Sequence, residues 1–160
     1  MSNTLVTAAI VIVAVLIILL VIRAGRDRRA AETVRPGLRG TRIALISHHP
    51  MTLTRLQLFA KKSGMSAQVV GGTAEALTVI APTDYDVAVV RLADVDGARA
   101  VPALLTCRIP TVLLVSSFRG NLPDQVANRP TIAVVVEPWH HTEITLAIAH
   151  ARGIQRRATT

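Results

Sequence analysis

Two pairs of adjacent histidines follow apolar stretches of the chain. His48 and His49 lie near the end of RIALISHHPM, and His140 and His141 end VVVEPWHH. Imidazole is a good ligand for zinc or nickel, so these four side chains suggest a metal or small-ligand sensor. However, neighbouring residues of an extended segment point in opposite directions, which places His48 and His49 poorly for binding one ion together. We therefore expect polar histidines at strand ends and helix starts, and no metal site, with the sensor as an alternative.

The elements that must position these histidines alternate along residues 42–153. Short runs rich in β-branched residues, such as DVAVV and TVLLV, are each followed by a stretch with helical spacing, and the β-α order repeats five times. The strand runs are continuously apolar, as expected for strands covered on both faces. This pattern predicts an α/β fold with a parallel sheet and helices on both faces.

Several polar side chains come directly after the predicted strands. In open parallel α/β sheets, ligands bind beyond the carboxyl ends of the strands. We call this edge the strand-end rim, and the pattern places the following residues on it: Ser47, His48, His49, Arg91, Ser116 and Glu137. A Ser-His-acid triad of Ser116, His48 and Asp94 is disfavoured, because no nucleophile-elbow sequence surrounds Ser116. We expect no enzymatic activity.

Four segments within about residues 42–153 resemble the receiver domain of two-component response regulators. They are ALISHHPMTLTRLQLF, GGTAEALTVIAPTDYDVAVVRLADVDG, IPTVLLVSS and VVVEPWHHTEITLAI. The second is the most specific, since it combines Gly, Glu-Ala-Leu, a helix, an Asp-aliphatic run and a loop ending in Asp-Gly. The resemblance implies a flavodoxin-like five-stranded parallel sheet of order 2-1-3-4-5 and a role in signal transduction.

The residues at the receiver's reactive positions differ from those that phosphorylation needs. The resemblance places the acidic cation-binding pair on Ser47 and His48 and the phosphoacceptor on Arg91. It places the strand-four hydroxyl on Val115 or Ser116, and the lysine on Glu137. Arg91 cannot form an acyl phosphate, and Ser47 and His48 lack the carboxylate oxygens that Mg²⁺ prefers. Arg91 and Glu137 exchange the charges of the receiver's Asp and Lys, so we expect an ion pair that closes this degenerate pocket. Phosphorylation of Asp94 or Asp96 is a further alternative.

A catalytically silent receiver-like domain is expected to act through protein contacts. Receivers commonly use the surface of strand four, the helix after it, strand five and the last helix for output. The candidate contact residues on this surface are Phe118, Arg119, Trp139 and His140, with packing of Trp139 against the body of the domain as the alternative. The sequence identifies neither the pathway nor the cytoplasmic or membrane protein partner, a homodimer is compatible with it, and no cofactor is implied.

Residues 5–22, LVTAAIVIVAVLIILLVI, contain no charged residue, Pro or Gly. As a helix they span about 27 Å, close to the roughly 30 Å thickness of the bilayer hydrocarbon. We predict a single transmembrane helix in the cell membrane, in contact with the lipid bilayer. A cleaved signal peptide is the alternative, but it favours positive charge before the apolar run, and MSNT has none in its side chains.

Arginines are concentrated after this predicted span. Those within about twenty residues of its end are Arg23, Arg26, Arg28, Arg29, Arg35, Arg39 and Arg42. The positive-inside rule therefore predicts that residues 1–4 are extracytoplasmic and that the domain at residues 42–153 is cytoplasmic. Residues 23–41 are expected to form a basic tether without a core of its own. Its first arginines, Arg23, Arg26, Arg28 and Arg29, would contact lipid headgroups.

The net charge of +8 does not belong to the predicted domain. Between residues 43 and 151, eight Lys or Arg balance eight Asp or Glu, and the remaining basicity lies beside the span, at Arg152 and in the tail at 154–160. The chain also has four aromatic residues in all. A neutral domain with few aromatics argues against nucleic-acid binding. The single Cys107 excludes an internal disulfide and is expected in the core.

Overall fold

The structure, a computed structural model, describes residues 2–95, 97–116 and 122–154, with side chains for all except residues 2–8, 97 and 98. Within these ranges, five strands form one sheet: β1 (Arg42–Ile46), β2 (Ser66–Gly71), β3 (Val87–Arg91), β4 (Thr111–Val115) and β5 (Ile132–Val136). The helices are α1 (Ser2–Val34), α2 (Pro50–Lys62), α3 (Glu75–Val79), α4 (Gly97–Thr106), α5 (Asp124–Ala127) and α6 (His141–Ala151). This order contains the five predicted β-α repeats.

All neighbouring strands are parallel, and their order in the sheet is β2-β1-β3-β4-β5. The predicted flavodoxin-like topology is therefore confirmed. The register pairs Ile46 of β1 with Val90 of β3, and Val115 of β4 with Val136 of β5. Because these residues lie at or next to the ends of their strands, the segments that follow β1, β3, β4 and β5 meet at the strand-end rim.

The sheet separates two apolar cores. On β1, Ile43 and Leu45 pack in the cluster that holds the buried residues of α2 and α6, whereas Ala44 and Ile46 pack in the cluster of α3 and α4. Successive side chains of a strand point to opposite faces, so a strand covered on both sides needs apolar residues at every position. The continuous apolar runs in the sequence have this cause, and β4 is buried along its whole length.

Helix α1 carries the predicted transmembrane span. In the described part of the chain, it is the one helix long and apolar enough to cross a membrane by length and composition. The large hydrophobic side chains between Ile10 and Ile22 are 48–66% exposed, as they would be if lipid were to cover them. Among the residues that the structure describes, none packs against this apolar surface.

Residues 23–41 depart from the expected tether in their second half. Helix α1 continues to Val34, where it packs against α6, and Ala30 and Ala31 are buried as well. Leu38 is completely buried and joins the same core as α2 and α6. The physical reason is that these apolar residues recur at helical spacing along an otherwise Arg-rich segment, and so form one packed stripe. The end of α1 is therefore part of the domain.

Candidate functional site

Arg91 and Glu137 meet at the strand-end rim as an ion pair. Arg91 ends β3, Glu137 directly follows β5, and the Arg91 Nε donates to both Glu137 carboxylate oxygens at 3.1 Å. Their side chains are 20% and 18% exposed, so water reaches the pair only in part. The hydrogen bond to Glu137 raises the pKa of Arg91 against the opposing effect of burial. The ion pair expected from the exchanged charges is present.

Asp94 joins this pair as a second carboxylate. It lies in a single 3₁₀ turn after β3, and Arg91 Nη1 donates to its Oδ1 at 2.8 Å. Its Oδ2 accepts from Ser47 Oγ at 2.5 Å and from the His48 backbone N–H at 3.1 Å. Burial alone would raise the pKa of Asp94, but the hydrogen bonds from Ser47, Arg91 and His48 together lower it. Both carboxylate oxygens are therefore engaged, and the side chain is 11% exposed.

Ser47 and His48 occupy the end of β1, where the receiver resemblance calls for an acidic pair. Ser47 is buried, and its Oγ both donates to Asp94 and accepts from the His49 backbone N–H at 3.0 Å. The imidazole of His48 lies against the backbone of Gly72, where an added Cβ would overlap the ring. Gly72 thus leaves room for the His48 side chain at the rim. A hard cation would find a hydroxyl and an imidazole here in place of two carboxylates.

The other three histidines of the two pairs, His49, His140 and His141, also have partners within the domain. His49 is the N-cap of α2, with its Nδ1 accepting from the Thr52 N–H at 3.4 Å, and His141 packs its ring 5.4 Å from that of Phe59. His140 is the exposed N-cap of α6, and its backbone N–H donates to Glu143 at 2.8 Å. Among the described residues, no group of three or more His, Cys, Asp or Glu is placed to hold a metal ion. The four histidines are therefore distributed over helix starts and a glycine contact.

Trp139 packs against the body of the domain, which was the alternative to its place on the contact surface. It is 2% exposed and packs in the core formed with α2 and α6. The guanidinium of Arg55 lies 4.4 Å from the centre of the indole, and its Nη2 donates to the Trp139 carbonyl at 3.1 Å. A large aromatic side chain gains more from core packing than from exposure, and Arg55 covers the indole from above. Trp139 is thus a core residue, and His140 next to it is the exposed one.

The other predicted site residues are placed as follows. Ser116 is exposed directly after β4, and Val115 before it is buried. Phe118 and Arg119, predicted to contact a partner, lie outside the described residues, as does Asp96. The arginines predicted at lipid headgroups are exposed along α1: Arg23, Arg26, Arg28 and Arg29.

Two residues of the site were not predicted in their observed roles. Asp94 was considered as a phosphate acceptor, but it acts as the bridge that ties Ser47 and His48 to Arg91. Its position three residues after a rim arginine, at the spacing of one helical turn, was the available signal. Arg55 had no such signal, because its stacking on Trp139 joins positions far apart in the sequence.

The fold is shared with solved receiver structures. A response regulator receiver protein from Burkholderia phymatum matches at 10% identity, over 73% of this chain and 98% of that one, with a TM-score of 0.57. A sensor protein from Polaromonas sp. JS666 matches at 21% identity over 71% and 96%, with a TM-score of 0.54. The signal receiver domain of an HD domain-containing protein from Pseudomonas fluorescens matches at 20% over 71% and 94%, also at 0.54.

These similarities confirm that the chain has the receiver-domain fold. At identities of 10–21%, the matches show the fold, and the chemistry of the rim depends on the residues present there. No protein-family model and no curated protein matches the sequence.

Proposed function

We propose that the chain is a membrane-anchored signalling module whose receiver-like domain is not phosphorylated and acts through protein contacts. The observation that carries this proposal is the position of Arg91, which stands where the fold requires a phosphoacceptor and bonds two carboxylates. A guanidinium cannot form an acyl phosphate. The domain is thus held in one state by ion pairs in place of a reversible modification.

The groups around Arg91 extend the same argument. Phosphoryl transfer to a carboxylate needs a free carboxylate oxygen and a divalent cation that neutralises the incoming charge. Asp94 has neither of its oxygens free, and Ser47 and His48 supply no carboxylate for a cation. A phosphoryl group on Oδ1 of Asp94 would displace the hydrogen bond from Arg91, and one on Oδ2 would displace the two from Ser47 and His48.

Membrane anchoring rests on α1. Its exposed apolar surface between Ile10 and Ile22 is followed by four exposed arginines, a distribution that favours insertion with the domain on the cytoplasmic side. Extraction of native membranes with alkaline carbonate should leave the chain in the pellet. Protease added to inside-out vesicles should digest the domain, and protease added to intact spheroplasts should not. A carbonate-soluble chain would contradict the anchor.

The absence of phosphorylation can be tested with the full-length chain in lipid nanodiscs. After incubation with acetyl phosphate and Mg²⁺, intact mass spectrometry should show no added phosphoryl group, whereas a phosphorylatable receiver domain treated in parallel should gain one. A mass gain in this chain that disappears in Asp94→Asn would overturn the proposal and support the phosphorelay alternative. Crosslinking in native membranes, with His140→Ala as the comparison, then identifies proteins that contact the exposed end of α6.

A further inference from the structure

Helix α1 joins the predicted span to the domain without interruption. It runs from Ser2 to Val34 as one helix, which corresponds to about 50 Å at 1.5 Å per residue. Its last turns are fixed to the domain, because Val34 is 4% exposed in the core and Arg35 Nη2 donates to the Lys62 carbonyl at 3.0 Å. The direction in which α1 leaves the domain therefore sets how the domain is oriented toward the bilayer.

The direction of α1 follows from its neighbour α6. Helix α6 begins at the strand-end rim, since it follows β5 through the segment 137–140, and it ends at the opposite edge, where Arg152 Nη1 donates to Thr41 Oγ1 at 2.6 Å. One cavity is lined by Arg28 and Ala31 of α1, by Arg35 just beyond its end, by Lys62 at the end of α2, and by Thr142 near the start of α6. Val34 lines another with Ile154, just beyond the end of α6. The two helices thus run in the same direction, and the earlier part of α1 extends past the rim.

This geometry places the bilayer on the rim side of the domain. Arg28 lies six residues after Ile22, the end of the predicted span, which is about 9 Å along the helix. The headgroup layer adds about 5–7 Å to each side of the hydrocarbon. We propose, on the basis of the membrane anchoring above, that the strand-end rim faces the bilayer at headgroup distance and that its partner is the lipid surface.

The chemistry of the rim suits that location. A receiver with an open acidic pocket would turn several carboxylates toward anionic lipid, and like charges repel. Here the two carboxylates at the centre, Asp94 and Glu137, are both bonded to Arg91. The exposed arginines of α1 that lie between the span and the rim add positive charge: Arg23, Arg26, Arg28 and Arg29. The exchange of charges at the pocket thus also removes repulsion from the membrane.

This orientation can be tested by measuring how far fluorescent probes on the domain lie from the bilayer surface of a nanodisc. In a full-length Cys107→Ser background, a donor fluorophore is attached either to Ser116→Cys at the rim or to Thr131→Cys at the opposite edge; both positions are exposed. Because Val115 pairs with Val136, the two probes are separated by about six residues along the strand direction, or about 20 Å. Energy transfer to an acceptor on lipid headgroups should place the Ser116 probe closer to the bilayer by up to that distance.

Two comparisons make the result decisive. A flexible Gly-Ser insertion after Ala24 should abolish the depth difference, because it uncouples the domain from the span. Nanodiscs of neutral lipid should preserve the difference, because the helix fixes the orientation. Equal depths, or a deeper Thr131 probe in a chain that remains in the carbonate-resistant pellet, would overturn the orientation while leaving the anchor intact. A depth difference that survives the insertion would show that α1 is not its cause, and would overturn the argument from helix direction.

Discussion

Replacement of Arg91 by Met should destabilise the domain strongly for a residue at a strand end. The guanidinium makes hydrogen bonds to two carboxylates that are themselves only 18% and 11% exposed. Hydrogen bonds to charged groups contribute about 1.5–3 kcal/mol each, and removal of one partner of a buried ion pair costs about 3–5 kcal/mol. Because roughly one fifth of each side chain of the Arg91–Glu137 pair is exposed, water recovers part of this cost. We expect a loss of about 3 kcal/mol in the free energy of unfolding.

The assay is urea unfolding of the full-length chain in detergent micelles, followed by the fluorescence of Trp139, the only Trp in the chain and a buried one. Arg91→Met with Glu137→Met should recover only part of the lost stability, because an apolar pair then replaces Arg91 and Glu137 while Asp94 still lacks the hydrogen bond from Arg91. Arg99→Met is the matched control, because Arg99 bonds Glu75 with side chains 72% and 59% exposed, where solvent screens the charges and the pair adds little to stability. If Arg91→Met cost no more than Arg99→Met, the Arg91 network would be an ordinary surface pair and the argument for a closed pocket would fail.

Three further outcomes are expected. The pKa of Asp94 is lowered in the folded state, so its ionisation stabilises the domain above its ordinary pKa of about 3.9, and this contribution is lost as the pH falls through the folded value. The difference in unfolding free energy between wild type and Asp94→Asn, measured by urea unfolding, should therefore shrink below about pH 4. A difference that does not change with pH would argue against this linkage. Gly72→Ala should cost about 1 kcal/mol because it displaces the imidazole of His48, and in a double-mutant cycle the same change should be nearly neutral in His48→Ala. Leu38→Ala should cost about 2–5 kcal/mol in the same unfolding assay, because its side chain is completely buried; a cost below 1 kcal/mol would restore the interpretation of this segment as a tether.

The strands could be predicted from local pattern, whereas their order was implied by the resemblance to receiver domains. The apolar runs of β3 and β4 can be satisfied only between two layers of helices, so their composition specifies a central place in a parallel sheet. The ion pair of Arg91 with Glu137 could be predicted once the strand order was assumed. That order places the ends of β3 and β5 at the same edge of the sheet, and the opposite charges of the two residues then predict an ion pair.

The burial of the α1 end was not predicted, and for Trp139 the sequence left burial and exposure both open. Ala30, Ala31, Val34 and Leu38 do have helical spacing, but the surrounding arginines and the Pro36-Gly37 pair gave a stronger local signal for a tether. The position of Trp139 depends on Arg55, eighty-four residues away, and on the space between two helices. Contacts between residues so far apart in the sequence cannot be predicted from a local sequence pattern.

A continuous α1 also transmits rotation. In an α-helix each residue advances the chain by about 100° around the axis, so each side of the predicted span keeps a fixed angle relative to the domain. One residue inserted beside Gly25, where no other side chain packs, would turn the domain by about 100° relative to the span, whereas seven residues would nearly restore the phase. If α1 is the membrane anchor proposed above, a rotation of its apolar half would turn the domain as well, because α1 is continuous and its end packs against α6.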